Sequence, residues 1–434
     1  MDKMADVLGR AGAWCGQNKY LSAIKNAFQN FMPLTIAGAI GVLWCNVLVN
    51  DQTGLGLFFK PIMALDFLNP AFQAVNFCTI SCITVGITLG IAQEIGVWNM
   101  GAERAGYIPG LVGLAAWLSV TNTSHMVDGA KEAFTGIAGN ELGATGLFTG
   151  MIIGVLSVEL FCFFEKQDAL KIKMPEQVPP GVARAFEVLV PATITLIITA
   201  CIGSACYNLT GLYLNDVIKN GIQGPLGAVG ATIPGVMIIY LVIMLFWLVG
   251  IHGNNMLSAV KEALFTPLAL ENVEAFNKGE TPKNIINMYF LQMCGEFGGS
   301  GVTIGLVIAI MIFGKREDNK AIATLSLVPG LFNINETVTF GIPMVLNPIL
   351  GIPFVVAPLI TIIIGYVLTV IGFCPVACLT VPWTTPPLVF GFLATGANIM
   401  GAVTQAILIV VSTVIYTPFL IAYEKYQNKQ AAEA

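Results

Sequence analysis

The chain has 434 residues, 56% of them apolar and only 10% charged, with a formal net charge of −5 and a mean hydropathy of +0.79. An ordinary soluble domain carries roughly 25% charged residues, so a soluble enzyme is excluded and no nucleic-acid partner is expected. The composition is that of an all-α polytopic membrane protein, because continuous runs such as "GVMIIYLVIMLFWLVG" lack the period-two alternation of a β-barrel.

In chain order, the first thirty residues scatter Lys3, Arg10, Lys19 and Lys25 among polar positions without a short apolar core and cleavage site. No signal peptide is expected, and the segment reads as a cytoplasmic amphipathic lead-in. Crossing ~30 Å of hydrocarbon takes about 20 helical residues. Clear runs of that kind lie near 31–50, 72–95, 145–164, 185–206, 232–251, 299–314, 352–373 and 397–420, with shorter or broken ones at 107–120, 284–297 and 321–332. About ten transmembrane helices are therefore expected, in a multi-pass membrane protein.

Orientation follows Lys and Arg rather than net charge. These cluster at the N-terminus, in "EKQDALKIKMPEQVPPGVAR" (Lys166, Lys171, Lys173, Arg184), in "GKREDNK" (Lys315, Arg316, Lys320) and in the tail (Lys425, Lys429). All four read as cytoplasmic. Only three obvious runs separate Arg184 from Lys315, however, so either 252–297 adds a crossing or "GKREDNK" lies outside.

Two halves are expected, 1–183 and 184–434, joined by the charged, Pro-rich segment with Pro175, Pro179, Pro180 and Gly181. In the first half, Gly146, Gly150 and Gly154 share one helix face, a candidate packing or dimer surface. The ten cysteines lie mostly inside apolar runs, where they pack as small hydrophobes. Cys78/Cys82 and Cys374/Cys378 have no His or carboxylate at ligand spacing, so neither metal nor other cofactor is expected.

The second half holds the unusual polar chemistry. An apolar helix ends at Gly250 and is followed by His252, Asn254 and Asn255; another stretch ends at Pro329-Gly330 before Asn333, Asn335 and Glu336. Both read as helices broken at membrane depth, which is tolerated only where the freed backbone is buried in protein or lines a watery cavity. A charged side chain at mid-span costs on the order of 2.5–3.5 kcal/mol, so Glu336 reads as functional rather than structural. His252, one of two histidines, reads the same way; the other, His125, sits in the polar loop "TNTSHMVDGAKEAF". The four asparagines are either ligands or caps of the broken helices, and Glu296 in "MCGEFGGSG" either caps or lines a hinge.

Further on, Pro382, Pro386 and Pro387 forbid a regular helix and display Trp383 with Thr384 and Thr385. The indole belongs either to an interfacial aromatic belt or to a platform for the C–H face of a sugar. Amides, a carboxylate and an indole suit a neutral polyol; an ionic substrate calls for Arg or Lys, and no such cation stands beside these motifs in the sequence.

"LFWLVGIHGNNMLSAVKEAL", "LVPGLFNINETVTFGIPMVLNPILGIPF" and "VPWTTPPLVFGFLATG" together resemble the enzyme IIC permeases of the phosphoenolpyruvate-dependent phosphotransferase system, lactose/cellobiose/chitobiose family. The likeness covers most of the chain in length and layout. It implies a homodimer formed by the N-terminal half and re-entrant hairpins in the C-terminal half that hold one β-linked disaccharide. By resemblance, His252 and Glu336 bind at the C6 hydroxyl and are the catalytic pair. Asn254, Asn255, Asn333 and Asn335 hydrogen-bond the sugar, and Trp383, with Thr384 beside it, stacks on a ring. One departure is Thr337, where Pro follows "NE" in many relatives.

The resemblance also implies partners: a cytoplasmic phospho-IIB protein that donates the phosphoryl group from a cysteine, and the IIA that charges it. Cys15, in "AWCGQNKY", has no βαβ surroundings and is not expected to be that donor. Two other classes stay open, a proton-coupled sugar symporter using Glu336 and His252 as a relay, and a non-transporting membrane transferase using them as acid and base.

Overall fold

The computed structural model describes residues 10, 13–14, 17–51, 55–125, 134–175 and 177–433. Lys3, Cys15 and the middle of the loop after His125 lie outside the described residues. Two compact units form, one from 17–38 and 75–227, the other chiefly from 39–74 and 228–434.

The first unit is a helical bundle of α1 (Lys19–Leu43, up to residue 38), α2 (Ile83–Met100), α3 (Ile108–Val120), α4 (Ala144–Glu165) and α5 (Pro180–Thr210). Small residues let these helices approach closely. A Cβ on Gly150 would stand 2.2 Å from Thr88 Oγ1, one on Gly154 3.1 Å from the Thr88 carbonyl, and one on Gly113 2.3 Å from Ala92 Cβ. The glycine face of α4 is thus a packing face against α2 within the chain.

The compact units divide at 227/228, with 39–74 grouped with the second. The charges read as a linker tie the ends of α4 and α5 together instead. Arg184 Nη1 lies 2.9 Å from Glu165 and 2.7 Å from Glu187, and Arg104 Nη2 bridges the same two carboxylates at 2.8 and 2.9 Å. In the exposed turn between those helices, a hydrogen bond from Lys171 holds the Asp168 carboxyl below its usual range.

In the second unit follow α6 (Ile233–Leu248), α7 (Ser258–Asn277), α8 (Met288–Gly295), α9 (Ile304–Phe313), α10 (Glu317–Leu331), α11 (Glu336–Gly341), α12 (Gly351–Val370) and α13 (Ile399–Glu433). Helices α8 and α9 form one span bent by 59°. That span runs parallel to α13: Gln405 Nε2 donates to the Met293 carbonyl at 3.2 Å, Ser412 Oγ to Val302 at 2.8 Å, and Glu424 accepts the Lys315 N–H at 2.8 Å. Lys315 and the Lys425 tail therefore share one face, which the positive charges mark as cytoplasmic.

Helices α6 and α7 both leave from the opposite face. Tyr240 of α6 stands level with Ile362 across Gly295, and Leu248 with Gly351, so α6 runs antiparallel to α12. On α7, Lys261 meets Glu296 at mid-depth while Phe276 packs at Gly396, just before α13 begins. The chain thus enters along α6, turns at 249–257 and leaves along α7 by the same side. Sixteen residues of α6 rise only about 24 Å at 1.5 Å each, short of a bilayer core. The run 232–251 and α7 are the two arms of one hairpin and add no net crossing. With it removed, two crossings, α5 and the bent α8–α9 span, lie between Arg184 and Lys315, and "GKREDNK" falls on the cytoplasmic side as its charges require.

Among the described residues, six helices are long and apolar enough to cross a membrane, or seven counting the bent pair; Ile108–Val120 and Ile233–Leu248 are shorter. The all-α polytopic architecture with re-entrant segments in its C-terminal half is therefore present. A two-residue antiparallel pair, Ser124–His125 with Phe134–Thr135, is the strand content of the described residues.

In a background without native cysteines, Lys283→Cys should react with a membrane-impermeant maleimide applied to the outside of intact cells. Glu317→Cys should react only after permeabilisation. External labelling of Glu317→Cys overturns the hairpin assignment.

Candidate functional site

Four interruptions meet at mid-depth in the second unit: the hairpin tip 249–257, the bend 296–303, the break 332–335 and the Pro-rich loop around Trp383. At the tip, Gly250 takes φ +80, and a Cβ on Gly253 would stand 2.0 Å from the Ile243 carbonyl. Side chains are excluded at both for different reasons, the first conformational and the second steric. His252 caps the short helix Gly253–Met256, its Nδ1 accepting the Asn255 N–H at 3.3 Å. That bond assigns the neutral ring's proton to Nε2, which stands 3.9 Å from Glu336 Oε1. The His252 ring lies 4.4 Å from the buried Trp247 indole at an interplanar angle of 46°.

At the bend, Gly298, Gly299 and Gly301 all have positive φ, and a Cβ on Gly299 would stand 2.6 Å from Asn335 Cβ. Asparagines remake the hydrogen bonds that the interruptions free. Asn333, itself left-handed at φ +63, accepts from the Gly298 N–H at 2.6 Å and donates to the Trp383 and Thr385 carbonyls at 2.5 and 3.1 Å. Buried Asn335 donates to the Ser300 carbonyl at 2.7 Å, and Asn254 to Ser300 Oγ at 2.9 Å. Glu336 opens α11 directly after Asn335, and Thr337 is the second residue of that helix. A first-turn position has no intrahelical use for its N–H, so it accepts proline or threonine alike.

The structure thus brings His252, Glu336, Asn254, Asn333 and Asn335 together and separates them by role. The amides of Asn254, Asn333 and Asn335 are engaged with protein, whereas His252 and Glu336 keep 37% and 48% of their side-chain surface open. Asn255 is exposed beside His252; Trp383 is 45% exposed with its backbone held by Asn333, and Thr384 is exposed next to it.

One sequence expectation is corrected. A cation does stand beside these motifs: Lys261, buried, forms an ion pair with Glu296 and donates to Asn254 Oδ1 at 3.4 Å. Tyr240 OH donates to the same Glu296 carboxylate at 2.8 Å. Lys261 was present in the sequence nine residues after His252, but nothing there places it opposite Glu296. Because its charge is compensated, the cluster open to a ligand still consists of one carboxylate, one imidazole and uncharged groups. This set suits hydroxyls.

Re-entrant segments meeting broken helices around a polar cluster define a membrane carrier for a small polar solute. The chain belongs to the EIIC family of the phosphotransferase system: the family model described as "Phosphotransferase system, EIIC" matches residues 25–358. It is 33% identical to the oligo-beta-mannoside-specific EIIC component of Bacillus subtilis (strain 168), over 98% of this chain and 94% of that one. Identity is 30% to the cellobiose-specific EIIC component of Lactococcus lactis subsp. lactis (strain IL1403), over 98% of each. Its fold matches the crystal structure of the transporter ChbC, the IIC component from the N,N'-diacetylchitobiose-specific phosphotransferase system, with a TM-score of 0.88 and 30% identity over 97% of both chains. The chain is accordingly an integral membrane permease that takes part in sugar phosphotransfer.

Removing the Asn333 side chain strands one buried N–H and frees two carbonyls at mid-depth. Asn333→Ala should lower stability by about 2–4 kcal/mol, read as an earlier melting transition in detergent, while Asn255→Ala should melt as wild type. Equal melting of the two variants would show that the Asn333 amide does not hold the break.

Proposed function

We propose that this permease binds a β-linked disaccharide of the cellobiose, chitobiose or lactose type and presents its C6 hydroxyl to a phosphoryl donor on a separate phospho-IIB protein. The observation that carries the reading is the facing of His252 Nε2 and Glu336 Oε1 at 3.9 Å, both open while the amides around them are engaged. A hydroxyl placed between an imidazole N–H and a carboxylate donates to one and accepts from the other. Glu336 then takes up the hydroxyl proton as the oxygen attacks phosphorus, the P–S bond to the donor cysteine breaks with the thiolate leaving on IIB, and His252 holds the attacking oxygen in line. The relatives' specificities, for cellobiose, oligo-β-mannosides and N,N'-diacetylchitobiose, support a β-linked substrate. Asn255, Trp383 and Thr384 are the exposed groups for the rest of the sugar, whereas Asn333 and Asn335 act mainly through the backbone they hold and Asn254 through Ser300 and Lys261.

Family membership favours group translocation over a proton-coupled symporter. The same reading includes a homodimer through residues 1–183. With Gly146, Gly150 and Gly154 packed inside the chain, a second copy meets a different face of that half.

Membranes containing this chain, phosphoenolpyruvate and the general phosphotransferase proteins should form sugar phosphate only when a cognate IIB and IIA are added. In that complete system Glu336→Gln should keep disaccharide binding, since an amide still accepts, and lose most phosphorylation. Wild-type turnover by Glu336→Gln removes the carboxylate from the chemistry, and product without IIB removes the separate donor.

The exposed Trp383 indole gives a second test. Trp383→Ala should weaken disaccharide affinity by about tenfold or more, ~1.4 kcal/mol, and Trp383→Phe should recover part of the loss. Wild-type affinity in a well-folded Trp383→Ala protein would make this an interfacial tryptophan.

A further inference from the structure

The buried ion pair between Lys261 and Glu296 belongs to neither the sugar-facing groups nor the packing of either helix. Glu296 sits where α8 ends and the glycine bend begins, and it receives two donors from the two arms of the hairpin, Tyr240 OH from α6 and the Lys261 ammonium from α7. Lys261 also donates to Asn254 Oδ1, which leaves the Asn254 amide N–H directed at Ser300 Oγ. Ser300 in turn offers its carbonyl to Asn335, the residue before Glu336. A continuous run of polar contacts therefore leads from both hairpin arms, through the bend, to Glu336. His252 lies two residues before Asn254 on the same tip.

We infer that Lys261 and Glu296 are positioning residues for phosphoryl transfer. Their pairing fixes the amide orientation of Asn254 and so sets the register of the His252 tip against Glu336. This assignment rests on the reading above, in which His252 and Glu336 flank the reacting hydroxyl. An uncharged hydrophobic pair of similar volume is commonly at least as stable as a buried ion pair, so stability alone gives no reason for these charges here. Orientation does, because the Ser300 hydroxyl can donate or accept, whereas the Lys261 ammonium can only donate and so fixes which end of the Asn254 amide faces it. Displacing reacting groups by about 1 Å costs on the order of 100-fold in rate without requiring any loss of ground-state affinity.

Removing one charge strands the other in the protein, so the pair is changed together. The test compares Lys261→Met/Glu296→Gln with wild type, measuring disaccharide affinity by titration on purified protein and turnover in the complete system with IIB and IIA. Affinity within about threefold of wild type and kcat lower by about tenfold or more are expected, and Lys261→Arg alone should retain most of the rate. A smaller fall in kcat, or parallel loss of affinity and kcat, overturns the assignment. If the paired variant does not fold, Tyr240→Phe, which removes one donor to Glu296, should lower kcat by about threefold or more at unchanged affinity, and an unchanged kcat overturns it. Glu336→Gln in the same assay separates the two levels: its turnover at the wild-type rate defeats the underlying reading, whereas its failure beside normal turnover of the paired variant defeats this one alone.

Discussion

Backbone groups freed inside an apolar layer must be paired again, and at the bend side chains do it: Asn333 and Asn335 take the Gly298 N–H and the Ser300 carbonyl, while Thr303, Tyr416 and Ser412 donate to the carbonyls of Gly298, Gly301 and Val302. An amide is suited to the task because it carries a donor and an acceptor without a charge to desolvate. Asn333 alone replaces three backbone contacts, to Gly298, Trp383 and Thr385. The positive-φ glycines of "EFGGSG" supply the complementary half. Their missing side chains let the chain turn where a Cβ would collide with Asn335, Ile304 or Phe354. Bent span, hairpin tip and proline-rich loop are held together by these few groups.

Engagement of the amides decides which side chains remain for a ligand. Sequence reading treats all four asparagines as equal between ligand and cap; the structure divides them. Asn254, Asn333 and Asn335 cap or bridge, and Asn255 stays exposed beside His252. What is left open is a carboxylate and an imidazole at 3.9 Å, with an indole held near the same level by its own carbonyl. In the proposed reading the sugar's hydration is replaced by groups that do not need to reorganise, which is the condition for electrostatic help to an oxygen nucleophile in a dry site.

Much of this was legible because the membrane penalises polarity. His252 and Glu336 stood out as expensive residues at helix breaks, and their meeting follows from both breaks lying at one depth. Re-entrant hairpins came from the family resemblance, while the return of the chain after α6 was not legible: "GVMIIYLVIMLFWLVG" reads as a span, and only Lys261 at Glu296 and Phe276 at Gly396 show that α7 runs back beside it. Charges beside prolines look like a solvated linker, but Arg184 and Glu165 pair with each other and draw α5 onto α4. Lys261 was missed because its partner Glu296 lies 35 residues away, a distance no local pattern reaches.

The electrostatic balance of the site follows from that last pairing. Lys261 and Glu296 compensate one another, so in the proposed reading Glu336 meets the ligand as a carboxylate paired with no lysine or arginine among the described residues, with the His252 ring 3.9 Å away. A neutral sugar enters such a site without meeting net opposing charge. In the proposed reading the phosphorylated product would place its new negative charge next to Glu336, and that repulsion would favour release over rebinding.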